Sequence, residues 1–121
     1  MNETTLITKV IGILMMSRTY AHLAHLKTPS YSQHVALDDF YTDVVDITDR
    51  FAEVAQGKYG KLDIPFEDMK GDVDNPIEGL TSHQTMINNL AKKCENKALL
   101  AIIDEINMLY YSTLYKLKEL E

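Results

Sequence analysis

Residues 34–53 read HVALDDFYTDVVDITDRFAE. Leu37, Phe40, Val44, Ile47, Phe51 and, just beyond, Val54 follow one another at steps of 3, 4, 3, 4 and 3 residues. That rhythm is the apolar seam of a helix packed in a bundle. The same stretch carries six acids and a histidine. Either those acids are the solvated back of an ordinary amphipathic helix, or some of them hold a ligand.

Working outward, the pattern predicts four helices and no strand. The first covers about Thr4 to Lys27, with Leu6, Val10, Ile13, Leu14, Leu23 and Leu26 on its apolar stripe. Thr28-Pro29 closes it: the proline disfavours the α conformation at Thr28 and suits the first position of a following helix, which makes Thr28 the expected N-cap. The second helix is expected from about Pro29 to Gln56, with Gly57 as its stop. Asn75-Pro76 opens a third, to about Lys93. The fourth runs from about Ala98 to Leu120 on a seam of Leu99, Ile103, Ile106, Tyr110, Leu114 and Leu117. Between the second and third lies GKYGKLDIPFEDMKGDVDN (57–75), expected as a loop with one helical turn near Phe66 to Met69. It is too long for a tight helix–helix turn and long enough to run back along a helix of ~40 Å. The expectation is an all-α, single-domain chain over residues 1–121: a ferritin-like four-helix bundle with a long crossover between the second and third helices.

With 45% hydrophobic residues, the chain can build a core. Its net charge of −6, and the lack of a basic tail, argue against binding nucleic acid through phosphates. The apolar run at 10–16 is shorter than the ~20 residues a membrane helix needs, and no signal-peptide pattern flanks it. One cysteine, Cys94, permits no internal disulfide and fits a reducing, cytoplasmic setting.

The acids can be placed by angle. Asp38 and Asp49, eleven residues apart, point only about 20° apart around a helix. His34/Asp38 and Asp49/Glu53 are both i,i+4 pairs, each able to converge on one ion. Together they centre roughly 160° from the apolar seam. The two pairs lie ~22 Å apart along the axis, so they cannot share an ion within one chain. An antiparallel contact between two copies of this helix, across a two-fold axis, brings the pairs together twice. On a hairpin centred at Thr28, His22 would stand beside His34. Each composite site would then offer two imidazoles (His22, His34) and three carboxylates (Asp38, Asp49, Glu53), a mixed N/O set suited to Fe(II), Mn(II) or Zn(II). Tyr41 and Val45 lie near that face. Asp39, Asp43 and Asp46 read as plain solvated acids.

His22, His34, Asp38, Asp49 and Glu53 thus fall at intervals of 12, 4, 11 and 4 residues. The segment HLAHLKTPSYSQHVALDDFYTDVVDITDRFAE (22–53) resembles the metal-site region of Dps proteins, the mini-ferritins of the ferritin-like superfamily. The resemblance implies that these five residues are iron ligands at sites shared by two-fold-related subunits of a dodecameric shell. It implies a ferroxidase that oxidises Fe(II) with hydrogen peroxide or dioxygen and stores or detoxifies the iron. Where that family usually has Trp after its first histidine, this chain has Leu23, and it contains no Trp at all. The Glu-x-x-His pairs of ferritin-type di-iron cores are absent. A different class of reading is a non-catalytic oligomeric helical binding or assembly protein with a vestigial or structural metal site. Elsewhere, His25 reads as a surface residue or an accessory ligand, His83 as a surface residue, Cys94 as a small buried or idle thiol, and Met15-Met16 and Tyr110-Tyr111 as core and interface.

Overall fold

The computed structural model describes residues 1–121 and contains four helices and no strand: α1 (Glu3–Lys27), α2 (Tyr31–Tyr59), α3 (Pro76–Ala91) and α4 (Lys97–Glu119). Three helices begin on a side-chain cap. Asn2 accepts from the Thr5 amide, Ser30 from Gln33 and Asn96 from Leu99, each satisfying an amide that has no carbonyl partner within its helix. Asn75-Pro76 opens α3 as expected, through the proline and without a side-chain cap. Thr28 is not the N-cap of α2. It closes α1, its amide bonded to the Ala24 carbonyl, and its hydroxyl donates to Gln33. Nor does Gly57 stop α2. The helix continues to Tyr59 and ends at Gly60, whose φ of 84° is the left-handed conformation that favours glycine.

Each of α1 and α4 packs against both α2 and α3, so α1/α4 and α2/α3 are the diagonals of the bundle. End contacts fix the directions. The Tyr59 hydroxyl donates to Glu3, tying the end of α2 to the start of α1. Cys94, just after α3, lies 4.0 Å from the same carboxylate. Ser32 donates to the Leu120 carbonyl, tying the start of α2 to the end of α4. Every neighbouring pair is therefore antiparallel. With α2 and α3 parallel, the chain between them must travel the length of the bundle. It does so along α1: Pro65 and Glu67 lie over Gly12, the Asp72 carbonyl meets Tyr20, and Asp74 pairs with Lys27 at 3.0 Å. The segment is non-helical over Phe66 to Met69, so the helical turn expected there does not form. Proline at 65 and the short side of Gly12 let the strand-like chain lie close to α1 instead; a Cβ at Gly12 would sit 2.9 Å from the Pro65 carbonyl oxygen.

The core is one cluster drawn from all four helices. The α4 seam is buried throughout, and so are Leu37, Phe40, Val44 and Phe51 of α2. Val54 is exposed and Ile47 only partly covered, because small residues, Ala36, Thr48, Ala52 and Ala55, face inward beside the seam. On α1, Leu23 and Leu26 are exposed, against expectation. The inner positions of that last stretch belong to Tyr20, Ala21, Ala24 and His25. Of the doublets, Met16 and Tyr110 are buried while Met15 and Tyr111 face solvent. Cys94 is buried and unpaired, and its burial raises the thiol pKa.

His83 is fully buried, not a surface residue. Its Nε2 lies 2.8 Å from the Lys70 carbonyl, which can only accept, so Nε2 carries the proton. Nδ1 is then an acceptor, 2.8 Å from the Ser17 hydroxyl, and Ser17 in turn accepts from Tyr110 at 2.7 Å. This chain joins α4, α1, α3 and the crossover through neutral groups. Burial lowers the His83 pKa, opposed by the bond to Lys70, and raises that of Tyr110. Nearby, Tyr20 shares its hydroxyl between the Asp72 and Asn75 carbonyls at 2.6 and 3.0 Å. Burial and then Asp72 push its pKa to about 12.

Gly79 on α3 is the contact point for that tyrosine. A Cβ there would collide with the Tyr20 hydroxyl and its ring. Gly79→Ala is expected to destabilise the fold by about 3 kcal/mol through overpacking. Gly57→Ala, in the open last turn of α2 with nothing near it, is expected to stabilise it by about 0.5–1 kcal/mol. Urea unfolding of both variants checks the pair; a Gly79→Ala protein as stable as wild type would mean that Tyr20 does not fill that space. His83 gives a pH test with a defined sign. Its folded pKa lies below its unfolded value of 6.5, so the folded state takes up its proton less readily. Its share of stability is present above pH 6.5 and is lost as pH falls below that toward the folded pKa. Between pH 7 and 5, His83→Gln should therefore lose less unfolding free energy than wild type.

Candidate functional site

The outer face of α2 carries Asp38, Asp39, Asp43, Asp46, Asp49 and Glu53, all exposed. Asp39 lies 3.9 Å from Lys116 of α4, and Arg50 pairs with Glu105 at 2.8 Å; both are solvent-exposed pairs of small energetic weight. Asp38, Asp49 and Glu53 make no salt bridge. His22 and His34 are half-buried at the edge of this face.

The hairpin register differs from the one expected. Because Ser30 rather than Thr28 caps α2, the centre of the turn moves from Thr28 to between Pro29 and Ser30. The residues that meet across it are then His25 and His34, not His22 and His34. Their rings stack with centroids 3.7 Å apart and planes 20° apart. Each ring uses Nδ1 on the backbone of the other residue: His25 bonds the His34 carbonyl at 2.7 Å and His34 bonds the His25 carbonyl at 2.9 Å. A carbonyl only accepts, so both Nδ1 atoms carry hydrogen and both Nε2 atoms, when the rings are neutral, carry the lone pair. That is the arrangement by which proteins orient an imidazole for a metal. His25 is buried, not a surface histidine.

His22 stands one turn away, 6.1 Å from His25 between ring centroids. Its neighbour across the hairpin is Tyr41, stacked at 4.3 Å and 15°. Tyr41 also meets the edge of His25 at 5.4 Å and lies under the Arg18 guanidinium, 5.7 Å from its centroid. The Asp38 carboxylate raises the Tyr41 phenol pKa, with a smaller contribution from burial; Arg18 works the other way. Farther along, Met15, Arg18, Thr19, Val45, Thr48 and Asp49 line a groove of about 270 Å³ between α1 and α2. The Thr48 hydroxyl beneath it is the one buried side-chain polar atom of the chain with no hydrogen-bond partner.

The structure therefore joins His34 to His25 and His22 to Tyr41, while Asp38 stays exposed beside them and Asp49 and Glu53 lie at the far end of the same face. No group of three or more His, Cys, Asp or Glu side chains within the chain could hold a metal ion. Spacing placed Tyr41 near this face and left His25 as a surface residue or accessory ligand; Arg18 was not legible as a partner of it. The available signals were the i,i+3 relations of His25 to His22 and of Tyr41 to Asp38.

Residues 25–117 match a family of unknown function, DUF5856. The chain belongs to that family. The matched span contains His25, His34, Asp38, Tyr41, Asp49 and Glu53; His22 lies just before it. An uncharacterized 14.6 kDa protein from the mobD-ri intergenic region of Enterobacteria phage T4 is 29% identical over 108 residues, covering 88% of this chain and 84% of that protein. No solved structure matches the chain. No helix is long and apolar enough to cross a membrane.

The influence of Asp38 on Tyr41 can be read directly. With Asp38→Asn the anion beside the phenol is removed, so the Tyr41 pKa is expected to fall back toward 10. Ultraviolet titration of the phenolates, comparing wild type, Asp38→Asn and Tyr41→Phe, isolates that residue. A Tyr41 titration unmoved by Asp38→Asn would refute that influence.

Proposed function

We propose that this DUF5856 protein is a Dps-like mini-ferritin of the ferritin-like superfamily, in which two copies meet through α2 and oxidise Fe(II) at sites they share. One observation carries the reading: a single register satisfies both halves of the site. If α2 lies antiparallel to its copy so that His34 faces the partner's Glu53, then Asp38 faces the partner's Asp49, since both number pairs sum to 87. The centre of that contact falls between Asp43 and Val44, with Tyr41 and Val45 close to the axis. The exposure of Asp38, Asp49 and Glu53 and the Nε2 lone pair of His34 support it. So does the all-antiparallel bundle with a full-length crossover. The buried, unpaired Cys94 is compatible with a cytoplasmic protein.

Iron is the substrate here. His22 and His34 would supply neutral nitrogens, and Asp38, with the partner's Asp49 and Glu53, anionic oxygens. Hard carboxylate ligands favour Fe(III) over Fe(II), which lowers the free energy of the oxidised product. Two Fe(II) give one electron each to hydrogen peroxide; with two protons the peroxide leaves as two waters, and two Fe(III) remain. The same donor set also accepts Zn(II) or Mn(II) as competitors. A closed dodecameric shell would keep the mineral apart from solvent. The acidic face and net charge of −6 do not favour DNA as a partner.

A helical assembly module with an inert site is the second reading, and Leu23, in the position where Dps proteins usually carry Trp, favours it. Fe(II) added anaerobically and followed by peroxide separates the two. The expected result is a rise of Fe(III) absorbance in wild type that is at least ten-fold slower in Asp49→Asn, with a native mass well above a dimer. Equal rates in the two proteins would sink the ferroxidase reading.

A further inference from the structure

We propose that the groove between α1 and α2 binds a free α-amino acid with a large apolar side chain, its carboxylate on Arg18, its ammonium on Asp49 and its side chain under the crossover. This goes beyond the iron reading and does not rest on it; the two share only Asp49. The first observation is Thr48. Thr81 and Thr85, also in a helix, turn their hydroxyls onto the carbonyls four residues back, those of Ile77 and Thr81, at 2.6 and 3.0 Å. Thr48 has the same option on α2 and does not take it. It lines the groove, is only 4% exposed, and its hydroxyl has no partner. Native structures leave few such atoms unbonded, and a ligand oxygen in the groove would satisfy this one.

The second observation is a pair of unused charges. Arg18 and Asp49 line the same groove, and neither belongs to any of the chain's three ion pairs, so they do not pair with each other either. Arg18 is half-buried, its guanidinium 5.7 Å from the Tyr41 ring centroid. A guanidinium offers paired N–H donors that match a carboxylate, and a carboxylate accepts from an ammonium. A plain carboxylate ligand would set its anion against Asp49, and a plain amine would set its cation against Arg18. An α-amino acid carries both charges on one carbon and answers both groups. The third observation is what adjoins the groove. Its volume is about 270 Å³, and through Met15 and Thr19 it is continuous with a cavity of about 380 Å³ between α1 and the crossover. Together they fall within the ~300–1,000 Å³ typical of small-molecule sites. Met16, Ile64, Phe66 and Met69 line that second space beside Met15. Methionines adapt to varied apolar shapes, which fits leucine, methionine or phenylalanine as the side chain held there. Glu67 on the same wall disfavours an acidic one.

The test is calorimetric titration of the full chain with L-leucine, L-methionine and L-phenylalanine. Isocaproate (leucine without its ammonium), isoamylamine (leucine without its carboxylate) and L-aspartate serve as controls. Saturable binding of the three apolar amino acids at ~1 mM or tighter is expected, with each control at least ~10-fold weaker. Arg18→Gln is expected to bind leucine ~10–100-fold more weakly and Thr48→Val ~3–10-fold more weakly. Both variants are first melted without ligand. Thr48→Val should melt no lower than wild type, because it removes a hydroxyl that bonds nothing in the free protein, and it carries the test should Arg18→Gln not fold. The proposal is overturned if none of the three amino acids binds, if isocaproate or isoamylamine binds as tightly as leucine, or if folded Thr48→Val and Arg18→Gln bind as wild type does.

Discussion

The hydrogen-bond chain Tyr110–Ser17–His83–Lys70 is the constraint on which the rest of the fold depends. A bundle of amphipathic helices can slide and rotate with little change in buried area, since hydrophobic burial is non-directional. Four groups, three of them side chains with no solvent exposure at all, cannot. Each must keep its partner, because an unsatisfied buried polar group costs about 1–3 kcal/mol. The chain passes from α4 through α1 to α3 and ends on a backbone carbonyl of the crossover. It therefore sets the heights of three helices relative to each other and anchors the long connection at its upper third. Tyr20 repeats the anchoring one turn higher through two more crossover carbonyls, and it can do so only because Gly79 leaves its ring a place against α3.

Much of this architecture is legible in the sequence, and the failures have specific causes. The α4 seam is visible because its apolar spacing never competes with another signal. The crossover is visible because the stretch 57–75, rich in Gly and Asp, is too long to be a tight turn. Thr28 and Ser30 are both good N-caps two residues apart, and local propensity does not choose between them. The choice moves the hairpin centre by about one and a half residues, enough to exchange His22 for His25 beside His34. His83 is misread for a related reason. A histidine without an acid at i±4 looks unpartnered along the helix, but its partners are a serine sixty-six residues away and a loop carbonyl. Sequence spacing reports contacts within one helix and is silent about those between helices.

The division of α2 into two faces follows from the same physics. Leu37, Phe40, Val44 and Phe51 face α1 and α4, and small residues between them let those helices approach closely. The polar face is then mostly open to solvent, with exposed pairs to α4 at Asp39 and Arg50 and the α1 groove beside Asp49. Only its upper end, near the hairpin, is organised: there α1 supplies His22, His25 and Arg18, and Tyr41 gathers them. Its lower end, with Asp49 and Glu53, has the groove at Met15 and Val45 but no imidazole within the chain. An ordered half and a bare half on one helix face, at a spacing that an antiparallel copy would superimpose, are what gives the shared-site reading its weight.

The interior offers no alternative place for such chemistry. The buried polar side chains are Ser17, His25, Thr48, His83, Gln84 and Thr113, and none is a carboxylate. Both nitrogens of His83 are occupied, and Tyr20, Tyr110, Phe40 and Phe51 fill the centre of the bundle. A cation inside it would have neither anionic ligands nor space, and desolvating an unpaired charge is prohibitive. Ferritin-type cores place their acids between the helices of one bundle; this chain keeps all of its acids outside. The proposed metal chemistry would therefore lie on the surface of α2, where water would compete for every ligand unless another protein surface covered it. On the proposed reading, closure by a second copy would be a requirement of the reaction as much as a matter of assembly.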